Sequence, residues 1–501
     1  MSPEIPPLEE IPHSPKIESV PTARELVRKY LGSSIGNESN TNGLSVDSTD
    51  ALYKNQVYPF VIALVPAYNE ELRITETLRS LINQTRPPDE IIVIADNCTD
   101  GTAALALAMG VNVVETSKNI DMKAGALNSV IDKILPVLDE TDSILVMDAD
   151  TILSPNFIRS AMHALFAPVP KGKKPVGGVG GVFLALPEKW SLASQLQTNE
   201  YLRYQRRLSR RRGRALVLTG TGTMFNIRTL RAVVEGRKDG RFPNLGVGLS
   251  VYDTAALTED NELTLCAKRL GYRVLSPKEC TVTTATMPTF RSLYKQRRRW
   301  QRGALENLYA HGINRHTAPY LIRQMLTYLG VTFLVLYTVS ISSAIENNEP
   351  VRWNNPLWLT VFGVYVFEQT ITVRKGGWKA ICTSLLVLPE IFYNFFLDLV
   401  YTVSFEALLY GVPESWGRVR DTLSGKDEGA KKDSSNGKID LRRTGRGRVT
   451  EVAIELTKDV SLGFLFSLPF WKPQLAWDLI TIFVLVGFVA TIGRLIPVKT
   501  S

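Results

Sequence analysis

Between Tyr58 and Asp150 the chain runs repeatedly through short, unbroken apolar segments that stop at a polar turn. They are FVIALV before PAYNEE, IIVIA before Asp96, and SILVM before Asp148-Ala149-Asp150. A strand with one wet face alternates in polarity. A strand with no polar position inside is covered on both faces, as in a parallel sheet under two layers of helices. Helix-like segments at 70–83, 102–109 and 124–135 separate these runs, and VNVVET adds a further strand. Alternating strands and helices predict a doubly wound α/β domain. In such sheets ligands bind beyond the carboxyl ends of the strands, where Asp96, Asp148 and Asp150 stand.

The rest of the chain divides by composition. Mean hydropathy is essentially zero although charged residues make up 21%, which points to polar and apolar residues gathered in separate blocks. The apolar blocks are 325–345, 355–373, 378–411 and 474–493. A membrane span needs about 20 apolar residues, and a soluble core rarely needs four such helices, so these blocks predict membrane insertion. Pro389 and Asn394 mark a possible hairpin within 378–411; otherwise part of that run lies in the interface. The basic loop RKGGWK and the basic stretch 416–448 face the cytosol by the positive-inside rule. The divisions are then a flexible segment at 1–55 with a short amphipathic helix at 22–31, a cytosolic catalytic domain at 56–312, membrane helices at 313–411, a basic cytosolic loop at 412–462, and a last membrane helix at 463–501. We find no signal peptide pattern at the start. Four scattered cysteines without a CxxC give no zinc ribbon or disulfide framework, and four scattered histidines form no metal cluster.

Several residues carry possible chemistry. Asp148 and Asp150 leave an uncharged strand together, so both carboxylates enter the strand-end crevice. Hard divalent cations take carboxylate oxygens together with substrate phosphates, although two acids after a strand are by themselves commonly turn residues. Pro66, Ala67, Tyr68 and Glu70 open the loop after the first strand. Lys123 precedes a helix and suits a phosphate there, or it is solvated. Gly220 and Gly222 in LTGTGTMFN allow close backbone approach. Thr258-Glu259-Asp260 opens a helix, either as cap and first-turn acids or with Asp260 as a general base. Gln296, Arg299 and Trp300 lie in the basic amphipathic segment TFRSLYKQRRRWQRGALENL, which suits a membrane surface. A second basic run, RYQRRLSRRRGR, holds seven arginines in twelve residues. We assign it to anionic lipid or plain solvation. No zinc finger, RNP motif or helix-turn-helix supports nucleic acid, despite the net charge of +9.

Taken in order, PAYNEE, Asp96, KAGALN, DAD, TED and QRRRW followed by apolar spans resemble the GT-A-fold, family 2 membrane glycosyltransferases. That group includes the cellulose, chitin, hyaluronan and poly-N-acetylglucosamine synthases. The resemblance covers roughly residues 58–312 by motif. It implies a GT-A-type domain followed by a helical transmembrane region. It also implies a UDP-sugar donor (UDP-GlcNAc or UDP-Glc), Mg²⁺ or Mn²⁺, and a growing glycan or other acceptor beside membrane lipids. By the same resemblance Asp96 holds the uracil with Pro66, Ala67, Tyr68 and Glu70 beside it, and Lys123 contacts the diphosphate. Asp148 and Asp150 hold the nucleotide and metal, with Gly222 near the substrate. Asp260 is the catalytic base with Glu259 beside it, and Gln296, Arg299 and Trp300 form QxxRW at the acceptor and diphosphate site. The paired acids usual near position 96 are Ala95-Asp96 here, and the glycine usual before the lysine is Met122. The implied outcome is an inverting, β-forming enzyme of the plasma or inner membrane, multi-pass, with its catalytic domain cytosolic. Processive export of a polysaccharide, single transfer to a lipid or protein acceptor, and a degenerate nucleotide-sugar sensor are the alternatives. No residue pattern fixes an oligomeric state.

Overall fold

The computed structural model describes residues 59–186, 189–243, 248–348 and 356–410. The expected helix at 22–31, the basic stretch at 416–448 and the apolar run at 474–493 lie outside the described residues.

The first strand, β1 (Val61–Ala67), explains the unbroken apolar pattern. Its odd-numbered residues, Val61, Ala63 and Val65, pack with Ile74, Leu78 and Leu81 of α1 (Ile74–Ile82). Its even-numbered Ile62 and Leu64 pack with Leu127, Val130 and Ile131 of α3 (Met122–Ile134) on the opposite face. Both faces are therefore dry, and a polar residue at any interior position would be buried without a partner. β2 (Glu90–Asp96), α2 (Thr102–Ala108), β3 (Asn112–Thr116) and β4 (Ser143–Met147) complete this half. Its four strands lie parallel in the order β3-β2-β1-β4, so the doubly wound expectation describes it.

Beyond β4 the sheet becomes mixed. β8 (Gly222–Asn226) pairs antiparallel with β4, placing Met147 opposite Gly222 and Ser143 opposite Asn226. β6 (Val176–Gly180) pairs antiparallel with β8, and β9 (Arg273–Leu275) pairs parallel with β6. This gives a seven-stranded sheet in the order β3-β2-β1-β4-β8-β6-β9. A second sheet of three strands, β5 (Thr151–Leu153), β10 (Thr281–Ala285) and β7 (Val182–Leu186), follows the order β5-β10-β7. The GTGTMF segment reads as a turn in sequence because β8 begins at its second glycine. A five-residue strand that opens on glycine offers little apolar length to detect.

The remaining helices wrap this core and extend from it. α4 (Phe157–Phe166), α5 (Leu192–Arg210), α6 (Ile227–Lys238) and α7 (Glu259–Arg269) precede α8 (Phe290–His311), the helix of the QRRRW segment. Thr289 and Ser292 form a reciprocal capping box at its start, which satisfies backbone N–H groups that have no partner within the helix. Gly312, at φ 66°, closes its end. α9 (Ala318–Glu346), α10 (Pro356–Val373), α11 (Gly377–Leu385) and α12 (Leu388–Leu409) follow. The apolar run at 378–411 forms two helices that meet close to Pro389, and it continues straight through Asn394. It breaks after Leu385, and Pro389 sits in the first turn of α12, where its missing N–H costs nothing. Among the described residues one helix, Leu388–Leu409, is long and apolar enough to cross a membrane. Large apolar side chains stand in the open along these helices, including Met325, Leu326, Phe362, Phe367, Phe392, Phe395 and Leu399.

Candidate active site

The carboxyl ends of β1, β2 and β4 open into a cavity of about 910 Å³. Each strand delivers a different functional group there. β1 ends in the loop carrying Pro66, Ala67, Tyr68 and Glu70, all of which line the cavity. Asn69 turns this loop at φ 54°, and Asn97 turns the loop after β2 at φ 51°. Asparagine tolerates this left-handed region better than most residues. Met122 also adopts it, at φ 54°, so the position where the resemblance expects glycine has the backbone that favours glycine.

Asp96 is nearly buried at the end of β2. One of its oxygens accepts hydrogen bonds from Thr116 Oγ1 (2.6 Å), Asn119 Nδ2 (2.8 Å) and Asn97 Nδ2 (3.2 Å). Three donors on one oxygen fix the carboxylate's orientation at the cavity.

The acids after β4 meet a lysine. Lys123 Nζ lies 2.6 Å from Asp148 Oδ1 and 3.3 Å from Glu259 Oε1, and it donates to the Gly220 carbonyl at 3.3 Å. Burial alone would push its ammonium down; Asp148 and Glu259 outweigh that and hold it above the usual lysine range. Asp150 faces Arg73 at 3.5 Å. Its carboxyl is pushed up by burial and then by the negative charge of Asp148, with Arg73 pulling against both. A hard carboxylate that burial and a neighbouring carboxylate drive toward its protonated form fits a divalent cation, which relieves the repulsion.

Asp260 faces this cluster from the first turn of α7, beside Glu259. Burial raises its carboxyl to about 6, the adjacent Glu259 adds to the rise, and Lys123 opposes it. A Cβ at position 220 would lie 3.3 Å from both Asp260 Oδ2 and Lys123 Nζ. Glycine there keeps open the space between the acid and the lysine.

α8 supplies the opposite wall with Gln296, Arg299 and Trp300. Burial lowers the Arg299 guanidinium, and Glu259, Asp148 and Asp260 offset only part of that. The cavity therefore brings together all the expected site residues except Gly222. That residue lies in β8 outside the lining, where an added Cβ would meet Val282 and Leu153 at 3.1 and 3.2 Å. The lining residue of that segment is Gly220.

Sequence reasoning missed several groups. Arg73 pairs with Asp150 from the turn before α1. Glu200, Tyr201, Tyr204, Arg323 and Tyr401 line the cavity from α5, α9 and α12. No local motif marks them, because they come from separate elements that converge only in the fold. The arginine run at 203–214 was visible, but its cavity-lining members were not separable from its solvated ones.

α8 also holds the Asp260 turn in place. Asn307 Nδ2 donates to the Thr258 carbonyl (3.0 Å) and to Thr258 Oγ1 (3.1 Å). A Cβ at Gly303 would lie 2.5 Å from Thr258 Oγ1 and 2.7 Å from its Cγ2. Gly303→Ala is expected to cost about 1–3 kcal/mol through overpacking. It should also slow turnover by up to about 100-fold, because α7 must shift with Thr258. Melting and turnover of the variant measure the two effects. A variant that matches the parent in both would show that the contact yields freely.

Comparison with known proteins relates the chain to glycosyltransferases. Residues 59–303 match the family model described as "Glycosyltransferase like family 2". A probable glycosyltransferase of Bacillus subtilis (strain 168), YdaM, is 29% identical over 262 residues, covering 49% of this chain and 55% of that protein. A poly-beta-1,6-N-acetyl-D-glucosamine synthase of Staphylococcus epidermidis is 25% identical over 258 residues, covering 49% of this chain and 54% of that one. The chain thus matches these relatives over little more than half of their length. A solved mannosyltransferase from Pyrobaculum calidifontis, in complex with GDP-Man and Mn²⁺, is 17% identical with a TM-score of 0.46, covering 71% of this chain and 88% of that chain.

Proposed function

Residues 59–303 being a family 2 glycosyltransferase domain, we propose that the chain transfers a sugar from a UDP-sugar to an acceptor hydroxyl, inverting the anomeric carbon to give a β-linkage. The observation that carries this reading is the placement of Asp260 across one cavity from Asp148, Asp150 and Lys123. Asp260 takes the proton of the acceptor hydroxyl as that oxygen attacks the anomeric carbon. The line of attack is opposite the diphosphate, which is why inversion follows. Lys123 and Arg299 face the leaving diphosphate and stabilise its growing charge. Asp96 and the loop from Pro66 to Glu70 orient the base. Trp300 and Gln296 bound the acceptor side.

Asp148 and Asp150 are the residues that would hold Mg²⁺ or Mn²⁺. A cation bound there neutralises diphosphate charge and positions the donor. We expect Asp150→Asn to weaken UDP affinity in the presence of Mn²⁺ by about tenfold or more, while its metal-free affinity stays close to that of the parent. Equal metal dependence in variant and parent would remove Asp150 from the metal site.

The membrane reading rests on the open apolar side chains of α9–α12 and on the length of α12. We propose a multi-pass protein of the plasma or inner membrane with its catalytic domain on the cytosolic side. One relative is a poly-beta-1,6-N-acetyl-D-glucosamine synthase, which favours UDP-GlcNAc, with UDP-Glc the next candidate. It also favours repeated addition to a growing glycan coupled to export. A second reading, a single transfer to a lipid acceptor, is favoured by the exposed arginines that line the cavity, Arg207, Arg211, Arg214 and Arg323. Purified protein in nanodiscs, given Mg²⁺ or Mn²⁺ and labelled UDP-sugars, separates the two by product size. A high-mass ladder supports repeated addition, and a single-sugar adduct supports the second reading. Absence of any transfer across the panel would refute the transferase assignment.

A further inference from the structure

The cavity has two electrostatic ends. Its floor carries Asp96, Asp148, Asp150, Glu259 and Asp260. Its mouth carries Arg207, Arg211 and Arg214 from the end of α5 and the loop after it, and Arg323 from α9. All four are exposed. Arg211, Arg214 and Arg323 have no ion pair among the described residues. Arg323, Arg207 and Arg211 lie around one place, since all three act on the half-buried Tyr204 phenol, opposing the upward push that burial gives it, and Arg214 lines the same cavity. Interaction with the helix dipole accounts for basic residues in the last turn of α5. It does not account for Arg214, which lies beyond the helix, or for Arg323, which arrives from another helix.

α9 links this mouth to an apolar surface. Tyr320, Gln324 and Thr327 line the cavity with Arg323. Their neighbours Ile322, Met325, Leu326 and Leu329 are exposed. One helix thus offers a cationic, cavity-facing stripe and an apolar, outward stripe over the same two turns. A molecule that satisfies both has an anionic group next to long apolar chains. A neutral glycan would leave the guanidinium groups without a counterpart.

We propose that the acceptor is a lipid carrying phosphate next to a hydroxylated headgroup. Arg211, Arg214 and Arg323 hold the phosphate, the apolar chains lie along α9, and the headgroup hydroxyl reaches inward to Asp260. This inference rests on the transferase reading above, takes its second form (transfer to a lipid) and names the acceptor for the same site. In the step itself the hydroxyl oxygen bonds to the anomeric carbon and its proton passes to Asp260. The bond from that carbon to the diphosphate breaks, and UDP leaves with the electron pair.

The test uses the full chain in nanodiscs of phosphatidylcholine, supplied with Mn²⁺ and labelled UDP-GlcNAc and UDP-Glc. Phosphatidylglycerol, which carries phosphate and hydroxyls, should yield a labelled, solvent-extractable lipid. Diacylglycerol, a hydroxyl without phosphate, should be labelled about tenfold more slowly or worse. Phosphatidic acid should compete, and millimolar inorganic phosphate should not. The double variant Arg211→Gln, Arg323→Gln should raise the KM for phosphatidylglycerol about tenfold or more. Arg212→Gln, from the same run but outside the cavity lining, should keep the parent KM. Competition by inorganic phosphate equal to that of phosphatidic acid would mean a free-phosphate site and overturn the lipid assignment. So would equal labelling of diacylglycerol, or a polymer formed at the same rate without anionic lipid. Protein that binds UDP-sugar but labels no lipid fails this inference alone, whereas protein that binds no UDP-sugar fails the transferase reading with it.

Discussion

Asp260→Asn is expected to abolish transfer and to make the protein more stable. A positioned general base contributes typically 10²–10⁴-fold, and asparagine keeps the shape while removing the proton acceptor, so turnover should fall by about that factor. UDP binding should persist, because Lys123, Asp148 and Asp96 are untouched. The stability effect follows from the same environment. The folded-state value of about 6 lies above the ordinary aspartate value near 3.9. The native state therefore binds this proton more tightly than the unfolded chain does. Stability from that proton is fully present below about pH 4 and is lost as pH rises through about 6. Above that, an ionised Asp260 next to Glu259 destabilises the fold by about 1–3 kcal/mol, the lower part of the range because the carboxyl is partly open to the cavity. Asparagine removes this penalty, so the variant should melt higher than the parent at pH 8 and about level with it at pH 4. The parent's kcat/KM should rise about tenfold per pH unit below 6 and flatten above it, since the base must be ionised to act. Normal turnover in the variant, or a flat profile from pH 5 to 8, would show that some other group takes the proton.

Much of this site was legible because its residues follow strands. A strand buried on both faces announces itself by an unbroken apolar run, and its carboxyl end locates the ligand crevice. Asp96, Asp148 and Asp150 were therefore placed by the same pattern that predicted the fold. Asp260 was less certain, since acids in the first turn of a helix serve the helix dipole equally well; only the approach of Lys123 and Gly220 separates the two roles. The antiparallel β8 and the second sheet left little trace. Their strands are three to five residues long, and small residues at GTGT read as a turn. The residues that complete the cavity from α5, α9 and α12 were invisible one by one, because what makes Arg323 or Tyr401 part of the site is the packing of distant helices. The QRRRW segment shows the same limit within a single motif. Gln296, Arg299 and Trp300 stand out in the sequence, while Arg297, one of the two arginines between them, carries no local mark of its own.

That arginine yields the second large effect, since Arg297→Met should cost about 3 kcal/mol or more. Arg297 is buried, and its guanidinium bonds both oxygens of Glu200 on α5, at 3.1 and 2.8 Å. Tyr393 on α12 donates to the same carboxylate at 2.6 Å, and Arg297 lies 4.7 Å over the Trp300 ring. One side chain thus joins α8 to α5 and α12 and fixes the face of Trp300. Burial penalises its charge, but Glu200 outweighs the penalty and holds the guanidinium firmly protonated. Removing one partner of such a pair costs about 3–5 kcal/mol, mostly because the other charge is stranded. Glu200 keeps Tyr393 and some solvent, which favours the lower figure. The double variant Arg297→Met, Glu200→Gln should recover much of the loss, since neither charge is then stranded. Arg297→Lys should recover less, because an ammonium cannot reproduce the two-pronged contact. Turnover should fall in all three variants, as α8 also carries Gln296 and Arg299. Denaturation of the full chain in detergent measures the stabilities. An Arg297→Met protein as stable as the parent, or a double variant less stable than the single one, would show that the pair does not clamp α8 to the helices around it.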